Sequence, residues 1–184
     1  MECSLHRALQ GTLTVLTRVR PKDLDGPTPC ASWDVRALVN HFVGTARWWA
    51  ATICEDDGVI EADYAAGDFV AAYEESIETA VTAFGADGAL DRTIRLPFGE
   101  FPGTVLLSLA TMEQFTHGWD LARATGQPTD LDPGLAAGLL SQVRLAIPDA
   151  YRGPDGQALF GPAREAPAGA GPADQLAAFL GRTV

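Results

Sequence analysis

Apolar residues recur at helical spacing along most of the chain, which predicts a helical protein. A first helix is expected from Ser4 to Arg18, and three prolines and a glycine then predict an irregular connection from Pro21 to Cys30. A second helix is expected from about Trp33 to the acidic stretch Glu55–Gly58, with Ser32 as its N-cap. Its apolar face consists of Val35, Leu38, Val39, Phe42, Val43, Ala46 and Trp49.

The middle of the chain predicts two more long helices and one extended segment. A third helix is expected from Asp68 to Phe84, and a fourth follows Pro102 and ends near Gly126. Between them, Thr93–Phe101 alternates apolar and polar residues around a Pro/Gly turn, which predicts a short hairpin or an extended loop.

The C-terminal third predicts shorter elements. A fifth helix is expected from Pro133 to about Ile147, a surface excursion from Pro148 to Pro172, and a short last helix from Asp174 to Leu180. Four main amphipathic helices predict an all-α fold, a four-helix bundle with additional short helices, in a single domain over residues 1–184. Bundle interiors hold metal sites built from inward side chains on facing helices.

Charge and composition narrow the function classes. Hydrophobic residues make up 47% of the 184 positions and charged residues 20%, as in ordinary globular proteins. A net charge of -11 disfavours nucleic acid and anionic membranes as partners. No apolar run is long enough to span a bilayer, and the first residues lack the pattern of a signal peptide.

The three cysteines, Cys3, Cys30 and Cys54, lack the spacing of a thiolate zinc cage and are an odd number for a disulfide framework. A reducing cytoplasm is therefore the expected location. Twelve arginines accompany a single lysine, and alanine and glycine are abundant, which is typical of proteins from GC-rich genomes.

Glu113 is the only formally charged residue between Gly103 and Trp119, within the very apolar fourth helix. An unpaired carboxylate buried there would cost several kcal/mol, so the group needs a partner, a proton or a metal. His117 lies four residues further on, and residues at this spacing share one face of a helix. Glu113 and His117 can therefore hold one cation together.

His41, at the edge of the second helix's apolar face, is the natural third ligand. With Glu113 and His117 it would form a set of two histidines and one carboxylate, leaving coordination positions open as in catalytic sites. Other interpretations stay open, because a core histidine often binds a backbone carbonyl and an exposed Glu-x-x-x-His pair is often only solvated.

Three sequence segments resemble the mycothiol-dependent maleylpyruvate isomerase-like proteins of the DinB-like metal-binding superfamily. The segment PTPCASWDVRALVNH, Pro27–His41, is similar to the opening signature of that family, and HGWDLARATG, His117–Gly126, to its second signature. The ending FLGR, Phe179–Arg182, is also similar to family members.

The resemblance implies a DinB-type four-helix bundle in which His41, Glu113 and His117 bind a divalent metal, usually zinc. It also implies that some relatives use mycothiol, the low-molecular-weight thiol of actinobacteria. The isomerases carry a further C-terminal domain, for which this sequence has no room, so maleylpyruvate is not the expected substrate. A shared fold does not carry one reaction with it.

Other residues allow a functional and a structural interpretation. Asp120 could orient a ligand histidine or face solvent or an arginine. Arg47 and Arg123 could hold a substrate carboxylate, although an arginine at a helix C-terminus is usually solvated. Cys30, before a helix N-terminus, could be a nucleophile or a fourth ligand, but a small buried apolar role is favoured. Trp48, Trp49 and Trp119 could line a ligand pocket or belong to the core.

Three functions compete at this point. The first is a metal-dependent transferase or isomerase, in which the ion presents a thiol, such as mycothiol, to a small electrophile. The second is a non-catalytic, metal-containing module that binds a small molecule. The third is a non-haem iron oxygenase, since its facial triad has the same ligand types. The expected partners are the thiol and the electrophile, and a homodimer stays open as the oligomeric state.

Overall fold

Six α-helices, four single-turn 3₁₀ helices and a two-stranded antiparallel sheet form the regular structure in a computed structural model that describes residues 3–56, 62–96, 99–154, 157–158 and 160–184. The elements are α1 (Ser4–Leu16), α2 (Val35–Ile53), α3 (Phe69–Gly85), β1 (Thr93–Leu96), β2 (Gly99–Pro102), α4 (Gly103–Ala124), α5 (Pro133–Ala146) and α6 (Pro172–Phe179). The expected, mainly helical fold is confirmed. The extended segment is a hairpin, whose turn at positions 97–98 lies outside the described residues.

Aspartates begin three of the helices. The Asp34 carboxylate accepts a hydrogen bond from the Ala37 backbone N–H at 2.7 Å, and Asp68 and Asp132 cap α3 and α5 in the same way. A side-chain oxygen at this position satisfies an N–H that has no partner within the helix. The predicted N-cap of α2, Ser32, is therefore wrong by two residues, and Trp33 lies in the preceding loop.

Helix α4 lies between two apolar cores. The larger core contains residues of α1, α2, α3, the hairpin and the inner face of α4. The smaller core joins Phe115 and Trp119 of α4 to α5 and α6. All residues from Gln114 to Ala122 are buried, whereas Val105 in the first turn is 37% exposed. The buried second half of α4 therefore contains His117, and the partly buried Glu113 lies directly before it.

The helices around the larger core contact one another in pairs. Helix α4 packs against α1 and α2, and α3 also packs against these two helices. Helix α6 packs against α5 and α4. Among the described helices, none combines the length and the apolar character needed to cross a bilayer.

Helices α1 and α4 come into close contact where Thr12 meets Gly118. A Cβ atom added to Gly118 would collide with the Thr12 hydroxyl and lie 3.1 Å from the Thr12 Cβ. The hydroxyl donates a hydrogen bond to the Gln114 carbonyl at 2.9 Å. The absence of a side chain at Gly118 therefore sets the separation of the two helices directly beside His117.

The variant Gly118→Ala is expected to destabilise the protein by roughly 1–3 kcal/mol, because overpacking a buried contact forces the two backbones apart. Urea denaturation monitored by helical circular dichroism measures the change. Gly11 lies next to Thr12 in α1 and has no atom within 4 Å of the position a Cβ would take. Gly11→Ala should therefore stabilise the helix by about 0.5–1 kcal/mol. Equal effects in the two variants would contradict a close contact at Gly118.

Candidate metal centre

The structure brings His41, Glu113 and His117 together between α2 and α4. The Nε2 atom of His41 lies 3.0 Å from Oε1 of Glu113, and the Nε2 atom of His117 lies 4.0 Å from the same oxygen. The three atoms all fall within 4.8 Å of one another. The sequence predicted this grouping from the helical spacing of two residues and the placement of the third, and metal binding by the group stays a prediction.

The cluster is accessible from the His41 side. The exposed fraction of the side chain is 27% for His41, 16% for Glu113 and 11% for His117. Burial pushes the pKa of Glu113 upward, but the adjacent His41 and His117 imidazoles outweigh it, and the pKa falls below its ordinary value. Glu113 is therefore a carboxylate at neutral pH, in the protonation state that a metal ligand requires.

The two oxygens of Glu113 have different surroundings. Oε2 accepts hydrogen bonds from Trp49 Nε1 and Gln114 Nε2, each at 3.1 Å. Oε1 is buried and has no hydrogen-bond partner among the described residues, although the His41 imidazole is nearby. An unsatisfied buried carboxylate oxygen is costly. The two donors on Oε2 therefore hold the carboxylate so that Oε1 faces the two imidazoles.

The other side of His117 contacts Asp120. Nδ1 of His117 lies 3.1 Å from Oδ2 of Asp120, and Arg182 donates to both oxygens of that carboxylate, at 3.1 and 2.8 Å. Burial alone would raise the pKa of Asp120, but the Arg182 charge and the His117 contact hold the pKa well below its usual range. An ionised carboxylate only accepts, so the Asp120 contact favours the tautomer of the uncharged imidazole that carries its proton on Nδ1, in which the Nε2 lone pair faces Glu113.

These contacts fit a divalent cation. Lone pairs of His117 Nε2 and Glu113 Oε1 face each other across 4.0 Å, with His41 Nε2 alongside. Ligand atoms around tetrahedral zinc are about 3.3–3.6 Å apart, given bonds of about 2.0–2.2 Å. The observed separations of 3.0 and 4.0 Å bracket that range. Two imidazole nitrogens and one carboxylate oxygen suit zinc and leave a coordination position open.

A second group, Cys30, His117 and Asp120, also places ligand-type atoms within 4.8 Å of one another. Both Asp120 oxygens are already bonded to Arg182, and the Cys30 thiol donates to Oδ2 at 3.3 Å. Burial, followed by the negative charge of Asp120, raises the pKa of the Cys30 thiol to about 12. The thiol is therefore protonated at neutral pH, which disfavours a nucleophilic Cys30. The hydrogen bonds from Arg182 to both Asp120 oxygens disfavour a metal here.

Trp33 is a site residue that the sequence reasoning missed. Its ring centroid lies 4.3 Å from that of His41 and 5.6 Å from that of His117, so the indole covers one side of both imidazoles. The expected start of the second helix placed Trp33 within that helix. The sequence did carry one signal for it. Trp33 directly precedes Asp34, an aspartate that can cap the helix bearing the candidate ligand His41.

The tryptophans of α2 and α4 have different roles. Trp49 is buried and donates to Glu113, so it supports a candidate ligand rather than lining a pocket. Trp48 packs edge-on against Trp49. Trp119 belongs to the smaller core and donates to Asp174 at 2.8 Å.

Neither arginine considered for substrate binding reaches the cluster. Arg47 is bonded to Ser76, Glu75 and the Ala72 carbonyl of α3. Arg123 is exposed in the last turn of α4, as its position at a helix C-terminus suggested. Arg182 does reach the site, through Asp120, and was noted in the sequence only as part of the similar FLGR ending.

Fold and site together define a mainly helical protein with a candidate centre of two histidines and one carboxylate between helices. The mycothiol maleylpyruvate isomerase N-terminal domain model matches residues 5–122, and the chain belongs to that family. Two proteins from strains of Mycobacterium tuberculosis, both named as uncharacterized, are 41% identical over 186 residues, covering 97% of this chain and 96% of each relative. No solved structure matches the chain.

Replacing any cluster residue is expected to abolish stoichiometric zinc binding. His41→Ala, Glu113→Gln and His117→Ala should each weaken zinc affinity by more than roughly 100-fold, since even partners of ligands contribute 10–100-fold. Elemental analysis and chelator competition measure the loss. His6→Ala changes the third histidine, in α1 and not among the clustered residues, and should bind zinc normally. Normal zinc affinity in all three cluster variants would show that the site is wrongly assigned.

Removing the metal is expected to lower stability without unfolding the protein. Neither apolar core includes the cluster side chains, so the cores should persist without the ion. Relative to protein at a free zinc concentration about 100 times Kd, the free energy of unfolding should fall by about 2.7 kcal/mol. Helical circular dichroism before and after chelation provides the check. A complete loss of helical signal would contradict this expectation.

Proposed function

We propose that this protein binds a divalent metal, zinc, and uses a low-molecular-weight thiol in one of two reactions. The thiol is either transferred to a small electrophile or adds to it reversibly and thereby isomerises it. The observation that carries the proposal is the buried Oε1 of Glu113, which lacks a hydrogen-bond partner among the described residues and faces two imidazoles. We further propose that α1 to α4 form a DinB-like four-helix bundle within one domain, residues 1–184, that works in the cytoplasm.

His41, Glu113 and His117 would hold the ion. A bound zinc ion would act as a Lewis acid and lower the pKa of a thiol. The protein's own residues prepare the site: Trp49 and Gln114 fix Oε2 of Glu113, which leaves Oε1 free. The more exposed His41 marks the side from which a small molecule can arrive, and Trp33 borders it.

Within the part of the chain that the structure describes, the cysteine beside the cluster is not an activated nucleophile, which supports a reaction in which a small molecule supplies the nucleophile. Cys30, the cysteine nearest the cluster, carries a protonated thiol that is bonded to Asp120. In a transfer, the thiol would lose its proton to solvent, and its sulfur would form a bond to a carbon of the electrophile while the bond from that carbon to the leaving group breaks, so that the leaving group departs with the electron pair. In an isomerisation, the same bond would form at an activated alkene and break again after rotation, so that the thiol is regenerated.

Family membership supports mycothiol as the thiol to test first, because the matching model is named for a mycothiol enzyme. The net charge of -11 supports small molecules rather than nucleic acid or an anionic membrane as partners. The electrophile is proposed only as a class, a small molecule with an activated alkene or a leaving group.

Cobalt-substituted protein is expected to respond to the correct thiol. Adding mycothiol should produce a sulfur-to-cobalt charge-transfer band in the near ultraviolet and release protons, because a coordinating thiol ionises. Thiol binding should therefore weaken as the pH falls, and more steeply once the ligand histidines protonate. Absorption titrations and calorimetry in buffers of different ionisation enthalpy measure both effects.

Glutathione and bacillithiol are the thiol controls, and the His117→Ala variant is the protein control. If mycothiol leaves the cobalt spectrum unchanged and no thiol-dependent turnover of electrophiles occurs, the enzyme proposal fails. A non-catalytic metal-containing module that binds a small molecule would then be the better description.

A further inference from the structure

Asp120 is a fully buried carboxylate whose surroundings include four donors. Oδ1 accepts from Arg182 Nε at 3.1 Å, and Oδ2 accepts from Arg182 Nη2 at 2.8 Å and from the Cys30 thiol at 3.3 Å. The same Oδ2 lies 3.1 Å from His117 Nδ1. The carboxylate is thereby held in one orientation, with Oδ2 directed at the imidazole.

Arg182 comes from a different part of the chain. It lies 62 residues after Asp120, just beyond α6 and outside the segment that matches the family model. Its backbone N–H donates to Ala177 and its Nη1 to the Leu180 carbonyl, so the end of α6 fixes where the guanidinium stands. The Nε and Nη2 atoms of the guanidinium each donate to a different oxygen of Asp120. A lysine ammonium lacks this paired, planar donor geometry.

We propose that Arg182 is a positioning residue for His117, acting through Asp120, so that the segment after α6 completes the metal centre. This inference rests on the proposed function, because it assigns to Arg182 the task of presenting a ligand.

The chain of contacts explains how Arg182 acts at a distance. With both oxygens held, the Asp120 carboxylate cannot rotate about its last bond, and Oδ2 keeps its place beside Nδ1. The imidazole then donates from Nδ1 and turns its Nε2 lone pair toward Glu113. Without the guanidinium the carboxylate can turn away, and His117 can adopt the other tautomer or another ring orientation. Either change would remove the lone pair from the cluster.

Two measurements on Arg182→Gln test the proposal. Zinc affinity by chelator competition should fall by roughly 10–100-fold, the range typical of residues that support a ligand. In metal-free protein at about pH 8, above the ordinary imidazole pKa of about 6.5, ¹⁵N spectra should show His117 protonated at Nδ1 in the wild type. In Arg182→Gln the spectra should show a mixture of tautomers. The chain has only three histidines, which permits assignment.

Arg152→Gln is the matched control. The Arg152 side chain is 7% exposed, against 15% for Arg182, and it also anchors the C-terminal region, through the carbonyls of Gly161 and Phe179. Losing Arg152 should destabilise the fold, as measured by urea denaturation, and leave zinc affinity and the His117 tautomer unchanged. Arg182→Lys keeps the charge but loses the fork, so it should recover part of the affinity. If Arg182→Gln does not fold, zinc affinity and the His117 tautomer are compared between Arg182→Lys and Arg152→Gln instead.

The outcomes separate the two proposals. If Arg182→Gln keeps wild-type zinc affinity and a single Nδ1-protonated His117, or if Arg152→Gln disturbs both measurements equally, Arg182 is only structural and the inference is wrong. If the wild-type protein binds no zinc, the proposed function fails. The tautomer comparison between Arg182→Gln and Arg152→Gln then still decides whether Arg182 positions His117.

Discussion

The cost of placing a carboxylate inside α4 governs the arrangement of the centre. Glu113 lies where two helices meet, and a buried charge of this kind persists only if its surroundings compensate for lost hydration. Trp49 and Gln114 satisfy one oxygen, and the imidazoles of His41 and His117 face the other. The contacts on Oε2 hold the carboxylate in one orientation, so that Oε1 can find a partner only on the side of the two imidazoles.

The features that could be predicted from the sequence are those that depend on local geometry. The pairing of Glu113 with His117 follows from one helical turn, and the helices follow from their apolar spacing. Helix caps were harder, because Ser32 and Asp34 can both accept from a helix N–H. The choice is made by contacts of the preceding loop, where Pro27 pairs with Asp34 and the Val35 N–H donates to Gly26. Trp33 was misplaced for the same reason.

The pairing of Arg182 with Asp120 had no local signal, because it depends on how α6 packs on α4. The Trp119 indole N–H donates a hydrogen bond to Asp174 of α6. The next residue of α4, Asp120, accepts hydrogen bonds from Arg182. These two contacts join the C-terminal segment to the helix that carries Glu113 and His117. No spacing rule connects residues so far apart in sequence, so only the folded chain identifies them as neighbours.

Trp33 lies in a loop ahead of the Asp34 cap, so the residues around the centre are under two different kinds of sequence constraint. The candidate ligands stand on helices whose packing tolerates little change, as the contact of Thr12 with Gly118 illustrates. The indole that borders the centre lies on a connecting segment, and such segments vary in sequence more than the elements they join. If the centre binds a small molecule, as proposed, a substitution at Trp33 can change which molecule it accepts while the three candidate ligands stay in place.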